Sequence, residues 1–124
     1  MQPKDLRVLV IEDESDSALV IGTAIEYSGA QTWTANSGEM GLELLQEVTP
    51  NLLIVDLALP GIDGWTFLDT VRANPSTANI PAVVVSAYLT PRVAEKALLA
   101  GFAAAIPKPI DTTSLVRQLI SILN

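Results

Sequence analysis

Apolar runs and amphipathic stretches alternate from one end of the chain to the other. Leu6 to Ile11 reads as a strand. Ser15 to Ser28 reads as a helix, with Ala18, Ile21 and Ile25 on one face and Gly29 as its stop. Ala30 to Ala35 alternates like a short strand, and Ser37 to Val48 follows as a helix with Met40, Leu44 and Val48 one turn apart. Leu52 to Val55 is an unbroken apolar strand that ends on Asp56. After a turn at Pro60-Gly61, Gly64 to Asn74 carries Phe67, Leu68 and Val71 at helical spacing. Ile80 to Val85 is another apolar strand. Thr90 and Pro91 open a helix, as a cap followed by a first-turn proline, and that helix ends near Gly101. Phe102 to Ile106 forms a small-residue strand, and Asp111 caps a last helix that runs through Leu123.

The pattern is five β-α units. Strands this apolar are covered on both faces, as in a parallel sheet between helix layers. The crossover rules then predict an α/β fold, a doubly wound (βα)5 three-layer sandwich. No repeat, linker or low-complexity tract divides the sequence, so residues 1–124 are read as one domain.

Composition narrows the chemistry. With 49% hydrophobic residues the chain is expected to fold rather than stay disordered. It has no cysteine and no histidine, so thiolate chemistry and imidazole bases or ligands are excluded. A net charge of −7 opposes nucleic acid and anionic membranes as partners. No segment has the length of a membrane span, and the start of the chain does not read as a signal peptide, so a cytoplasmic protein is expected.

In a doubly wound sheet, ligands bind beyond the carboxyl ends of the strands. The first strand delivers Glu12, Asp13 and Glu14 there, the third Asp56, the fourth Ser86, and the fifth Lys108 between two prolines. Taken singly, each has a plain reading. Glu12 and Asp13 suit a solvated turn, Asp56 and Ser86 suit turns, and Lys108 suits a snorkelling lysine. Taken together, three carboxylates in one crevice repel one another and recruit a cation. Oxygen-only ligands suit Mg²⁺, with Mn²⁺ as a substitute. Asp56 beside that ion and Lys108 becomes a carboxylate nucleophile able to form an acyl phosphate.

These residues resemble a known family. Glu12-Asp13-Glu14, the run from Asp56 to Gly64 (DLALPGIDG), Ser86-Ala87 and Lys108-Pro109 are similar to the motifs of response regulator receiver domains of two-component signalling. The resemblance covers essentially the whole chain and implies the flavodoxin-like strand order 2-1-3-4-5. It implies that Asp56 is the phosphoacceptor, Asp13 a direct Mg²⁺ ligand and Glu12 its water-mediated neighbour. It further implies the Ala58 backbone carbonyl as a ligand, Ser86 as the switch hydroxyl, Lys108 as the phosphoryl contact, and a cis Lys108-Pro109 bond. The implied donor is a histidine kinase or phosphotransfer protein. The implied activity is limited to the domain's own phosphorylation and dephosphorylation, so it is not a turnover enzyme.

Two features depart from the family. Ala105 stands where many receivers carry the aromatic ring that moves on activation. Ala58 and Tyr88 flank the expected phosphoryl position, and nothing there orients an attacking water, so slow self-dephosphorylation is expected.

Output is expected through protein contacts. In the last helix Leu115, Val116, Leu119, Ile120, Ile122 and Leu123 span about 160° of arc, wider than a core stripe of about 100°. With Leu99 one helix earlier, they suggest a downstream-partner or self-association face on the last two helices. Trp33 and Trp65 read as packing residues.

Three other readings stand beside this one. A Mg²⁺-dependent aspartyl phosphatase would want a second acid where Ala58 stands. A flavodoxin-like cofactor module would want a phosphate loop where the acidic run stands. An inactive scaffold would be consistent with Ala105.

Overall fold

A computed structural model describes residues 1–124. After a 3-10 turn at Pro3–Asp5, the elements alternate as the hydrophobic pattern predicts. They are β1 (Arg7–Ile11), α1 (Ser15–Tyr27), β2 (Gln31–Ala35), α2 (Gly38–Leu44) and β3 (Leu52–Asp56). They continue as α3 (Gly64–Ala73), β4 (Ala82–Ser86), α4 (Pro91–Ala100), β5 (Ala104–Pro107) and α5 (Leu115–Leu123). All strand pairs are parallel, in the order β2-β1-β3-β4-β5. This is the flavodoxin-like arrangement.

Burial follows position in the sheet. β3 and β4, in the interior, are buried at every residue, whereas the edge strands β2 and β5 are mostly half-exposed. Alternate residues of each strand feed two separate cores. Leu9, Ile11, Leu53, Val55 and Val84 meet Phe67, Leu68 and Val71 of α3 and Ala97 of α4. Val8, Val10, Leu52, Ile54 and Val83 meet Ile21 and Ile25 of α1 and Leu115 and Leu119 of α5. Trp33 and Trp65 pack against the first core, as expected of packing residues.

Some boundaries differ from those read in the sequence. α2 ends at Leu44, and the Glu47 and Val48 N–H groups both donate to the Leu44 carbonyl in a closing turn. Met40 does not face the core: it is exposed, and the helix approaches through Gly41. A Cβ there would lie 3.0 Å from both Ile11 and Phe67. Asp111 does not cap α5. Its Oδ1 accepts the Thr113 N–H at 3.0 Å and the Thr113 hydroxyl at 2.7 Å, shaping a turn before Ser114 starts the helix. The Asp111 carboxyl is held below its usual range by these Thr113 hydrogen bonds. Phe102 is buried in the link before β5 rather than in the strand.

Candidate functional site

The strand register brings the polar residues together. β1 and β3 pair through Ile11 and Val55, β3 and β4 through Asp56 and Val85, and β4 and β5 through Ser86 and Pro107. Glu12, Asp56, Ser86 and Lys108 therefore leave neighbouring strands at the same end of the sheet. The Glu12 N–H still donates to the Ala35 carbonyl, and the Lys108 N–H to the Ser86 carbonyl, so both backbones remain tied to the sheet.

Glu12 and Asp56 are buried, whereas Asp13 is exposed. Carboxylate oxygens of Glu12, Asp13 and Asp56 all lie within 4.8 Å of one another. The Lys108 ammonium reaches in from β5 and donates to Asp56 Oδ2 at 2.9 Å and to Glu12 Oε1. These are the only two ion pairs in the molecule. The second Asp56 oxygen accepts the Ala58 N–H at 3.0 Å. Ser86 is buried at the end of β4, and its hydroxyl accepts the Tyr88 N–H at 3.1 Å.

The electrostatics are those of crowded acids around one cation. Burial pushes the Glu12 carboxyl up to about 7; its contact with Asp56 adds to this and Lys108 offsets part of it. Burial acts on Asp56 in the same direction, but hydrogen bonds from Glu12, Lys108 and the Ala58 N–H outweigh it and hold Asp56 below its ordinary value. Burial would lower Lys108, yet its bonds to Glu12 and Asp56 hold it above its ordinary value. Burial thus favours the proton on Glu12, while Lys108 favours the ionised form of Asp56. The donor set fits a hard divalent ion: three carboxylates, with no histidine or cysteine among them.

The loop from Leu57 to Asp63 borders the site and is fastened at both ends. Gly64 lies against the Asp56 backbone: a Cβ there would come within 2.6 Å of the Asp56 carbonyl oxygen. The Gly64 N–H donates to the Leu57 carbonyl at 3.1 Å. Asp63 caps α3 through the Thr66 N–H at 2.9 Å. From α2, Glu39 accepts the Ile62 N–H at 3.3 Å and covers Gly61. Glu39 was not among the residues the sequence singles out. It is one more acid in the first turn of a helix, and its partner lies 23 residues away.

The chain is similar in sequence and fold to a large group of proteins. The response regulator receiver domain family matches residues 8–120. The chain is 30% identical to the CheY-type chemotaxis protein of Rhizobium etli, over 84% of this chain and 81% of that one. It is 28% identical to the polar-differentiation response regulator DivK of Brucella ovis, over 94% and 95% of the two chains. It also matches longer proteins, of which it spans a small part: 23% of the regulatory protein AtoC of Escherichia coli and 16% of the sensor histidine kinase CheAY of Helicobacter pylori. Among solved structures, a response regulator from Chloroflexus aurantiacus superposes with a TM-score of 0.89 at 29% identity, covering 95% of this chain and 97% of that one. Fold, acidic pocket and sequence agree, and the chain belongs to the response regulator receiver domain family.

Proposed function

We propose that the chain, as one receiver domain over residues 1–124, takes a phosphoryl group onto Asp56 and signals through the resulting change in its protein contacts. The observation that carries this reading is the convergence of Glu12, Asp13 and Asp56 with Lys108 bridging two of them. In the proposed step an Asp56 carboxylate oxygen attacks phosphorus. The O–P bond of an acyl phosphate forms, and the N–P bond of a phosphohistidine donor breaks, its electron pair remaining on the imidazole nitrogen. Lys108, already 2.9 Å from Asp56, neutralises charge on the phosphoryl oxygens, and the Ser86 hydroxyl donates to one of them. Glu12, Asp13, Asp56 and the Ala58 carbonyl are the groups that would hold Mg²⁺. Its chemistry is to screen the incoming phosphate from this acidic pocket.

The donor is proposed to be a histidine kinase or phosphotransfer protein. α1 exposes Leu19, Val20 and Tyr27, which with Thr112, Thr113 and Val116 line a groove of about 640 Å³. That groove offers such a protein an apolar seat. The chain's own output is proposed to leave from α4, where Leu98 and Leu99 are 54% and 81% exposed. α5 contributes less than its apolar arc suggests, because Leu115 and Leu119 are buried in the core and Ile120 is half-buried.

The test is intact mass after incubation with acetyl phosphate and Mg²⁺. A single phosphoryl adduct is expected in the native chain and none in Asp56→Asn; an adduct on both would move the acceptor elsewhere. The adduct should decay slowly once the donor is removed, because Ala58 offers no polar side chain to steer water. Decay within seconds would contradict that expectation.

A further inference from the structure

α4 is the most weakly seated helix of the five: of its ten residues only Ala97 is buried. Helices held by few buried contacts are the ones that move at low cost. A second contact holds α4 to the body of the protein. Lys96 Nζ stands 4.7 Å from the centroid of the Trp65 ring. The chain has fourteen acidic residues, yet Lys96 pairs with none of them, since both ion pairs belong to Lys108. Trp65 is half-buried, and its ring meets Phe102 edge to face, with centroids 6.0 Å apart and planes at 73°. Phe102 is itself tied back to α4, its N–H donating to the Ala97 carbonyl at 3.0 Å.

The other end of this connection is the acceptor strand. Trp65 directly follows Gly64, whose Cα rests on the Asp56 carbonyl. A displacement of the β3 end or of the following loop therefore passes through one residue to the ring. On β5, beyond β4, Ala105 is only a methyl group, so no ring there can carry such a displacement.

We propose that Trp65 and Lys96 form the link through which a phosphoryl group on Asp56 is felt at α4; this rests on the phosphoacceptor reading above. The two-state element is α4, with the Lys96 ammonium seated on the Trp65 face in one state and released to solvent in the other. An exposed lysine can leave a ring at small cost, which makes the contact a switchable tether rather than a fixed one.

The experiment is hydrogen exchange of the α4 amides, Arg92 to Ala100, in the full chain with and without acetyl phosphate and Mg²⁺, with intact mass read on the same samples. In the native chain α4 exchange should differ between the two states. Lys96→Met, a surface change, and Trp65→Leu should both accept the phosphoryl group to the native extent. Their α4 response should shrink by about threefold or more, the order of effect that a partly exposed cation–π contact supports. Lys96→Arg should restore most of it. Full phosphorylation of Lys96→Met with a native α4 response would overturn the link and leave the acceptor reading intact. No adduct on the native chain would overturn the acceptor reading and the link together.

Discussion

Glu12 is where the energetics of the site are most exposed to experiment. In the unfolded chain its carboxyl titrates near 4.5, and in the folded one burial and Asp56 raise it to about 7. A raised acid binds its proton more tightly in the native state, so the stability it contributes is fully present below about 4.5 and is lost as pH rises to about 7. Asp56 works the other way, since its lowered value costs stability only as pH falls through the lower range. Urea unfolding without divalent ions should therefore show the midpoint falling between pH 4.5 and 7, and Glu12→Gln should flatten that slope. Adding Mg²⁺ should recover most of the loss above pH 7, because the ion compensates the ionised carboxylate. An unchanged slope in Glu12→Gln would show that another group carries it. The sequence offered three consecutive acids with nothing to tell which of them is buried. Only the first is buried, because its N–H is still in the β1–β2 ladder, and that is a fact of pairing rather than of composition.

At the scale of elements, the strands were legible because β1, β3 and β4 are uninterrupted apolar runs that no helix period fits. α2 was only partly legible. Its closest approach to the core is through Gly41, which carries no hydrophobic signal, flanked by half-buried Leu42 and Leu44, so the Met40-Leu44-Val48 spacing made Met40 look like an anchor. Asp111 looked like a cap because a capping residue and an Asx turn use the same side chain, and only the chain's direction afterwards tells them apart. The junction of β3 with α3 was legible as a turn but not as a tight contact. Gly64→Ala would place a methyl 2.6 Å from the Asp56 carbonyl oxygen and 2.8 Å from Leu57 Cα, both backbone atoms with little room to yield. It should destabilise the fold by about 1–3 kcal/mol in thermal or urea melts, as overpacking does. A neutral effect would mean that the α3 start can slide away from the acceptor strand.

For the whole molecule, fold and site together were readable because the chemistry sits on strand ends, and strand ends are where hydrophobic runs stop. The surface was less readable. Periodicity finds an apolar arc but not which part of it is already covered, and α5 turns most of its arc inward through Leu115 and Leu119. Leu99→Asp should leave the melting temperature nearly unchanged and weaken whatever partner or second copy α4 binds, measured by analytical ultracentrifugation at rising concentration of the phosphorylated chain. Association identical to that of the native chain would remove α4 as the contact. The division of the interior into two cores has a consequence for how such a protein can diversify. Residues that shape the α1 side and residues that shape the α4 side share no core and are separated by a sheet buried on both faces. Substitutions on the two sides should combine additively. A lineage could then exchange its upstream donor while keeping its downstream listener, or the reverse, without refolding the middle.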